Sequence, residues 1–262
     1  MHDIDLALEA ARAGARIVAS GFRSVSAAEM KGAVDPVTEV DRAAESAIIS
    51  VITAARPRDG ILAEEGGATG APSGRRWVID PLDGTVNFVH GLPHVAVSVC
   101  LEDEDGGLAA VIIDPIRAEE FTAIRGGGAF LDGSDIHVSS RSPISEALIA
   151  TGFAYDRRER GPDYARVVGA VLGVARGVRR MGSAALDLAW LACGRLDGHW
   201  EFSLLPWDIA SGLLLISEAG GRLTNSAGGP PHHTDLVASN GLIHEELRRV
   251  VAAHRPPHVP LP

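Results

Sequence analysis

Trp77-Val78-Ile79-Asp80-Pro81-Leu82-Asp83-Gly84-Thr85 decides how the rest of this chain is read. Three large apolar residues predict a buried strand. They run into two carboxylates three positions apart, then a Gly-Thr pair at the start of a short helix continuing through Val86-Asn87-Phe88. Acidic oxygens, a turn and a hydroxyl at a strand end suit a hard divalent cation with a phosphate beside it. An ordinary strand-to-loop turn uses the same Asp, Pro and Gly for backbone reasons, so the motif needs partners elsewhere in the chain.

Those partners are acidic residues at other element junctions. Thr38-Glu39-Val40-Asp41 reads as a helix start, with Asp41 returning to the cap; the helix is expected to bury Ala43, Ala44, Ala47, Ile48, Val51 and Ile52 and to be closed by Pro57. Ile61-Leu62-Ala63-Glu64-Glu65-Gly66-Gly67 reads as a strand entering a loop, and adjacent glutamates on a strand point to opposite faces. Leu205-Pro206-Trp207-Asp208 opens another helix. Asp41, Glu64, Glu65, Asp80, Asp83 and Asp208 are six acids at junctions, where scattered surface acids would sit on outer helix faces. Like charges gathered in one place resist joint ionisation, so cations are the expected remedy. All-oxygen ligation selects Mg²⁺, Mn²⁺ or Ca²⁺ over zinc. His90 and His94 lack zinc-site spacing, and Lys31 is a loop cation of open role.

The 262 residues suffice for one large or two modest domains. Hydrophobic content of 46% and charged content of 22% are those of a globular protein in water. A net charge of −10 argues against nucleic-acid binding and requires local cations or donors to receive any anion. Cys100 and Cys193 read as free thiols, and the absence of a leader-like start or an 18-residue apolar run predicts a cytoplasmic location without a membrane span.

Outside these motifs, Ile4 to Phe22 is an amphipathic helix. Strands are expected at Val95 to Leu101, Leu108 to Ile116 and Glu120 to Ile124. The second half alternates strand and helix: strand Ala147 to Phe153, helix Pro162 to Ala175, strand Gly177 to Met181, then a helix opened by Gly182-Ser183-Ala184-Ala185. Strand Leu196 to Phe202, the helix after Asp208, two more strands and a helix from Leu242 to Ala253 complete it. Arg255 to Pro262 is expected to be loose. An antiparallel region feeding an alternating one predicts mixed α and β layers. The boundary falls between an N-terminal α+β half, 1–142, with most of the acids, and a C-terminal α/β half, 143–262, the two forming one catalytic unit.

Asp80-Pro81-Leu82-Asp83-Gly84-Thr85-Val86-Asn87-Phe88, Val37-Thr38-Glu39-Val40-Asp41, Glu64-Glu65-Gly66 and Leu205-Pro206-Trp207-Asp208, trailed by Glu218-Ala219-Gly220-Gly221, together resemble the inositol monophosphatase family, in the right order along nearly the whole chain. The resemblance implies a five-layer αβαβα sandwich of the inositol monophosphatase and fructose-1,6-bisphosphatase type. It implies two to three Mg²⁺, with Mn²⁺ as a possible substitute. Glu64, Asp80 and the Leu82 carbonyl would hold one, Asp80, Asp83 and Asp208 a second, and Glu65 a weaker third through water. Gly84 and Thr85 amides would receive phosphate, and the Asp41–Thr85 pair would orient and deprotonate the attacking water. Gly182, Ser183, Ala184 and Glu201 would contact the polyol.

The implied activity is hydrolysis of inositol 1-phosphate or a similar polyol phosphate by water activated at the metal centre, in a lithium-sensitive homodimer. Three alternatives stay open: the same chemistry on histidinol phosphate, fructose 1,6-bisphosphate or 3′-phosphoadenosine 5′-phosphate; a transcription-complex binding role; and structural Ca²⁺ binding.

Overall fold

The computed structural model describes residues 1–24, 29–30 and 36–259. It begins with helix α1 (Asp3–Gly21), a ribbon of β1 (Glu29–Met30) and β2 (Pro36–Val37), and helix α2 (Glu39–Ala55). Next come β3 (Gly60–Ala63), β4 (Gly67–Ala68), β5 (Arg76–Asp83) and the short helix α3 (Thr85–Val89). An antiparallel run follows: β6 (Ala96–Asp103), β7 (Gly106–Asp114), β8 (Glu119–Ile124), β9 (Gly128–Leu131) and β10 (Ser134–Asp135). The remainder is β11 (Leu148–Thr151), α4 (Arg157–Leu172), β12 (Gly177–Arg179), α5 (Ala184–Ala192), β13 (Gly198–Phe202), α6 (Pro206–Glu218), β14 (Arg222–Thr224), β15 (Asp235–Ser239) and α7 (His244–His254).

An eight-stranded sheet runs β10-β9-β8-β7-β6-β5-β3-β4, and a five-stranded sheet runs β12-β11-β13-β15-β14. Only β3 and β5 pair in parallel in the first, whereas β11 lies parallel to both its neighbours in the second. Alternation along the strands builds the layers. Trp77, Ile79, Val97, Val99 and Leu101 face α1 and α2, while Val78, Cys100, Ala110 and Ile112 face α5 and α6. The inner side of the second sheet, through Ala150, Leu236 and Ala238, closes over those same two helices. Its outer side, through Ile149, Trp200 and Val237, is covered by α4 and α7. The order α1/α2, sheet, α5/α6, sheet, α4/α7 is the expected five-layer αβαβα sandwich.

Local chemistry explains the element ends. Thr38 caps α2: its Oγ1 accepts the Val40 N–H at 3.1 Å, and Asp41 Oδ2 accepts the Thr38 N–H at 2.9 Å. Ser183 caps α5 by accepting the Leu186 N–H at 3.3 Å. α5 is buried on nearly every side, as a middle layer requires.

Three expectations change. α4 begins at Arg157, with Pro162 inside it rather than at its start; Tyr164 donates back to Asp156 at 2.7 Å, tying that first segment down. Glu64 and Glu65 lie in the turn after β3, not on the strand, so strand alternation does not separate them. The tail is packed as far as Val259, which is 2% exposed. Arg255 pairs with Asp235 at 3.2 Å, and His258 meets the Tyr164 ring edge-on at 5.7 Å. These contacts are tertiary, and a proline-rich composition does not announce them.

Candidate active site

The end of β5 is where the geometry departs from a plain strand. A three-residue spacing would put Asp80 and Asp83 on opposite faces of a regular strand. Pairing with β6 slips between Asp80, opposite Ser98, and Asp83, opposite Ala96, so three steps on β5 match two on its neighbour. This bulge, built on Pro81-Leu82, brings both carboxylates to one cleft. Asp80 Oδ1 closes it by accepting the Leu82 N–H at 3.0 Å. Gly84 follows in the left-handed region (φ 94°), and a Cβ there would stand 3.0 Å from the His94 carbonyl and 3.1 Å from that of Gly182.

The cleft is about 110 Å³ and lies between the C-terminal end of β5 and the second sheet. Of the sequence-derived candidates, Glu64, Asp80, Leu82, Asp83, Gly84, Thr85, Gly182, Ser183, Ala184, Glu201 and Asp208 line it. Asp41 and Glu65 do not line it. Asp41 is buried behind Thr85, whose hydroxyl reaches Asp41 Oδ1 at 2.9 Å and the Leu82 carbonyl at 3.0 Å. The other Asp41 oxygen holds the Thr38 amide and hydroxyl, so its carboxylate is fixed from both sides. Lys31 lies outside the described residues.

Two helix starts deliver the remaining acids. Asp83 Oδ2 accepts from the Ser183 hydroxyl and the Ala185 N–H, both at 2.7 Å, and so joins the first sheet to the N-terminus of α5. Asp208 Oδ2 accepts the Leu205 N–H at 2.7 Å across the first turn of α6. Asp80, Asp83 and Asp208 thus each commit one oxygen to a backbone amide. Among the described residues no protein donor meets the other.

Burial sets the electrostatics. Desolvation pushes Asp80 well above the ordinary carboxylate range, and the charges of Glu64, Asp83 and Asp208 push the same way. Burial and then Asp83 raise Asp208. Asp83 is also raised by burial, against the pull of Ser183, Ala185, His94 and Arg180. Among the described residues none of these three carboxylates is in a salt bridge, and Arg180 only partly offsets the rise at Asp83; their remaining hard oxygen donors fit divalent metal ions. Among the described residues no three histidine, cysteine or acidic side chains already form a closed metal cage; the acids share a cleft without converging on one point.

Glu201 on β13 is buried and raised to about 8, chiefly by desolvation. It sits where Gly152 has no side chain, since a Cβ there would collide with its carboxylate. Sequence reasoning missed Asp187, Arg180 and Arg157, which also line the cleft. Asp187 meets His94 at 3.1 Å, yet burial raises the acid and lowers the histidine to about 4, which favours a neutral hydrogen-bonded pair over an ion pair. Its signal was present: Asp187 is the one charged residue in the otherwise apolar Ala184–Ala192. Glu45, 5% exposed on the buried stripe of α2, was likewise passed over.

The profile of the inositol monophosphatase family matches residues 2–258. The chain belongs to the inositol monophosphatase family. An inositol-1-monophosphatase of Rhizobium meliloti is 45% identical over 225 residues, covering 85% of each chain. A protein of Pseudomonas aeruginosa named Nus factor SuhB is 41% identical over 266 residues, covering 97% of each. The solved structure of inositol monophosphatase from Anabaena superposes with a TM-score of 0.88 at 38% identity, over 97% of this chain and 96% of that one. As an inositol monophosphatase family member the chain is a phosphoric monoester hydrolase of a metal-dependent family. Among the described residues, no helix is long and apolar enough to cross a membrane.

Proposed function

We propose that this protein hydrolyses inositol 1-phosphate or a similar polyol phosphate to the free alcohol and inorganic phosphate, using Mg²⁺. The observation that carries this reading is the set of three carboxylates raised by desolvation, buried Asp80 and half-buried Asp83 and Asp208, opening on the cleft that also contains Thr85. Glu64, Asp80 and the Leu82 carbonyl would hold one ion, Asp80, Asp83 and Asp208 a second, and Glu65 a third through water. When bound, such ions neutralise the ester's charge and acidify water, which is what a very slow uncatalysed hydrolysis requires.

The chain's own groups do the rest. Thr85 gives its hydroxyl proton to Asp41 Oδ1 and so turns a lone pair toward an incoming water, whose proton it receives. Gly84 and Thr85 amides receive the phosphate. Glu201, Gly182, Ser183 and Ala184 contact the alcohol, and a Glu201 protonated near neutrality can either donate to or accept from a polyol hydroxyl. Lithium inhibition, a homodimeric state and a cytoplasmic location belong to the same proposal.

The test is a screen of inositol 1-phosphate, histidinol phosphate, fructose 1,6-bisphosphate and 3′-phosphoadenosine 5′-phosphate with Mg²⁺. Inositol 1-phosphate should give the highest kcat/KM; a much higher value for another ester overturns the substrate assignment and keeps the chemistry. The relatives named Nus factor support a second reading, a protein-binding role beside the phosphatase activity.

A further inference from the structure

We infer that Glu45 is a positioning residue for the cation site: its carboxylate fixes the turn that carries Glu64 and Glu65. This rests on the proposed metal-dependent reading, and it concerns a side chain that lies outside the cleft. Glu45 is buried on α2, one helical turn after Asp41 and on the same stripe as Ala44 and Ile48. A buried carboxylate on such a stripe needs hydrogen-bonding partners that justify its desolvation. Glu45 Oε2 accepts the Glu65 N–H at 2.8 Å. On the other side, a Cβ built on Gly66 would stand only 2.8 Å from Oε1. The carboxylate is therefore seated between the Glu65 amide and the Gly66 backbone.

The turn has a second anchor, because the Glu64 N–H bonds the Ile79 carbonyl of β5 at 3.3 Å. Glu64 is tied to the strand that ends in Asp80 and Asp83, and Glu65 is tied to α2. That helix then bears two carboxylates with parallel tasks. Asp41 holds the Thr85 hydroxyl, and Glu45 holds the backbone beside Glu64. Rotation of the turn would carry the Glu64 side chain away from Asp80, with which it interacts electrostatically. Groups that orient a metal ligand from behind cost about 10- to 100-fold in metal affinity when lost. The requirement is an oxygen acceptor at this point, not a charge.

The experiment measures Mg²⁺ binding by calorimetry and amide hydrogen exchange at Glu65 in the metal-free protein. Glu45→Gln keeps an acceptor and should hold the Mg²⁺ Kd within about threefold, whereas Glu45→Leu should weaken binding about tenfold or more and speed Glu65 exchange. Gly66→Ala crowds the carboxylate from the opposite side, should weaken Mg²⁺ similarly, and carries the test if Glu45→Leu does not fold. Wild-type affinity in both Glu45→Leu and Gly66→Ala overturns the proposal. So does a loss in Glu45→Gln as large as that in Glu45→Leu, which would assign the effect to charge. A wild-type protein that binds Mg²⁺ but hydrolyses none of the esters leaves Glu45's role standing and removes the functional reading. One that binds no Mg²⁺ overturns both.

Discussion

At its start β5 carries Arg76, whose guanidinium meets Glu102 across the pair with β6; at its end it carries Asp80 and Asp83, which face other acids. The same contrast runs across the first sheet. Away from the cleft, Arg195 grips Glu119 through two bonds of 2.6 Å, Arg125 reaches Asp103 at 2.8 Å, and both acids are held below their ordinary range by those arginines. In the cleft the acids are raised by burial, and Arg180 only partly offsets this at Asp83 and Glu201. An acid that serves the fold is neutralised by a neighbour in the chain. One left in need of a cation points to a ligand from solution.

The largest effect should come from removing one of the unneutralised charges. Asp80→Asn should lower kcat/KM by about 10³-fold or more, because metal charge stabilisation is worth several kcal/mol, while leaving the metal-free melting temperature equal or higher. Near-normal turnover would break the contrast between the two ends of β5. Retention of a protein-binding phenotype without turnover would favour the second functional reading.

An intermediate effect lies in pH. A carboxyl whose pKa is raised by folding holds more protons folded than unfolded, so its contribution is lost as pH rises through the folded value. For Glu201 that window runs from 4.5 to about 8. Arg-paired Glu119, lowered from 4.5, contributes above that value and loses its contribution as pH falls through the folded one. In EDTA the melting temperature should therefore fall between about pH 5 and about pH 8, and Mg²⁺ should flatten the decline. Scanning calorimetry with and without Mg²⁺ decides it, and a flat metal-free profile would contradict the cleft electrostatics. The smallest effect belongs to the other end of the strand. Arg76→Ala breaks an exposed pair and should cost about 0.5 kcal/mol, a melting shift of about 2 °C or less.

Much of this was legible because the signals are local. Thr38 with Asp41, Ser183 before Ala184, and the apolar run into Asp80 announce their own elements through capping and periodicity. Four of the six junction acids, Glu64, Asp80, Asp83 and Asp208, share the cleft as their positions at element ends suggested, whereas Asp41 lies behind Thr85 and Glu65 does not line it. What was hidden depends on neighbours distant in sequence. The bulge at Pro81-Leu82 is a register event with β6 and is not written in β5 alone. Glu45 and Asp187 look like charges on helices until the layers bury them. The tail looked loose because its partners, Asp235, Asp156 and Tyr164, lie far upstream.

The middle layer has a consequence in time. Val78, Cys100, Ala110, Ile112 and Phe121 depend for cover on α5 and α6, which the ribosome supplies after the first sheet is complete. The roughly 80 residues from β10 to the end of α6 take about 4 to 16 s to synthesise at typical rates. A first sheet that forms during synthesis would present that side uncovered until α5 follows, and partly uncovered until α6, which begins just before Asp208, is made, a window in which exposed apolar surface invites aggregation.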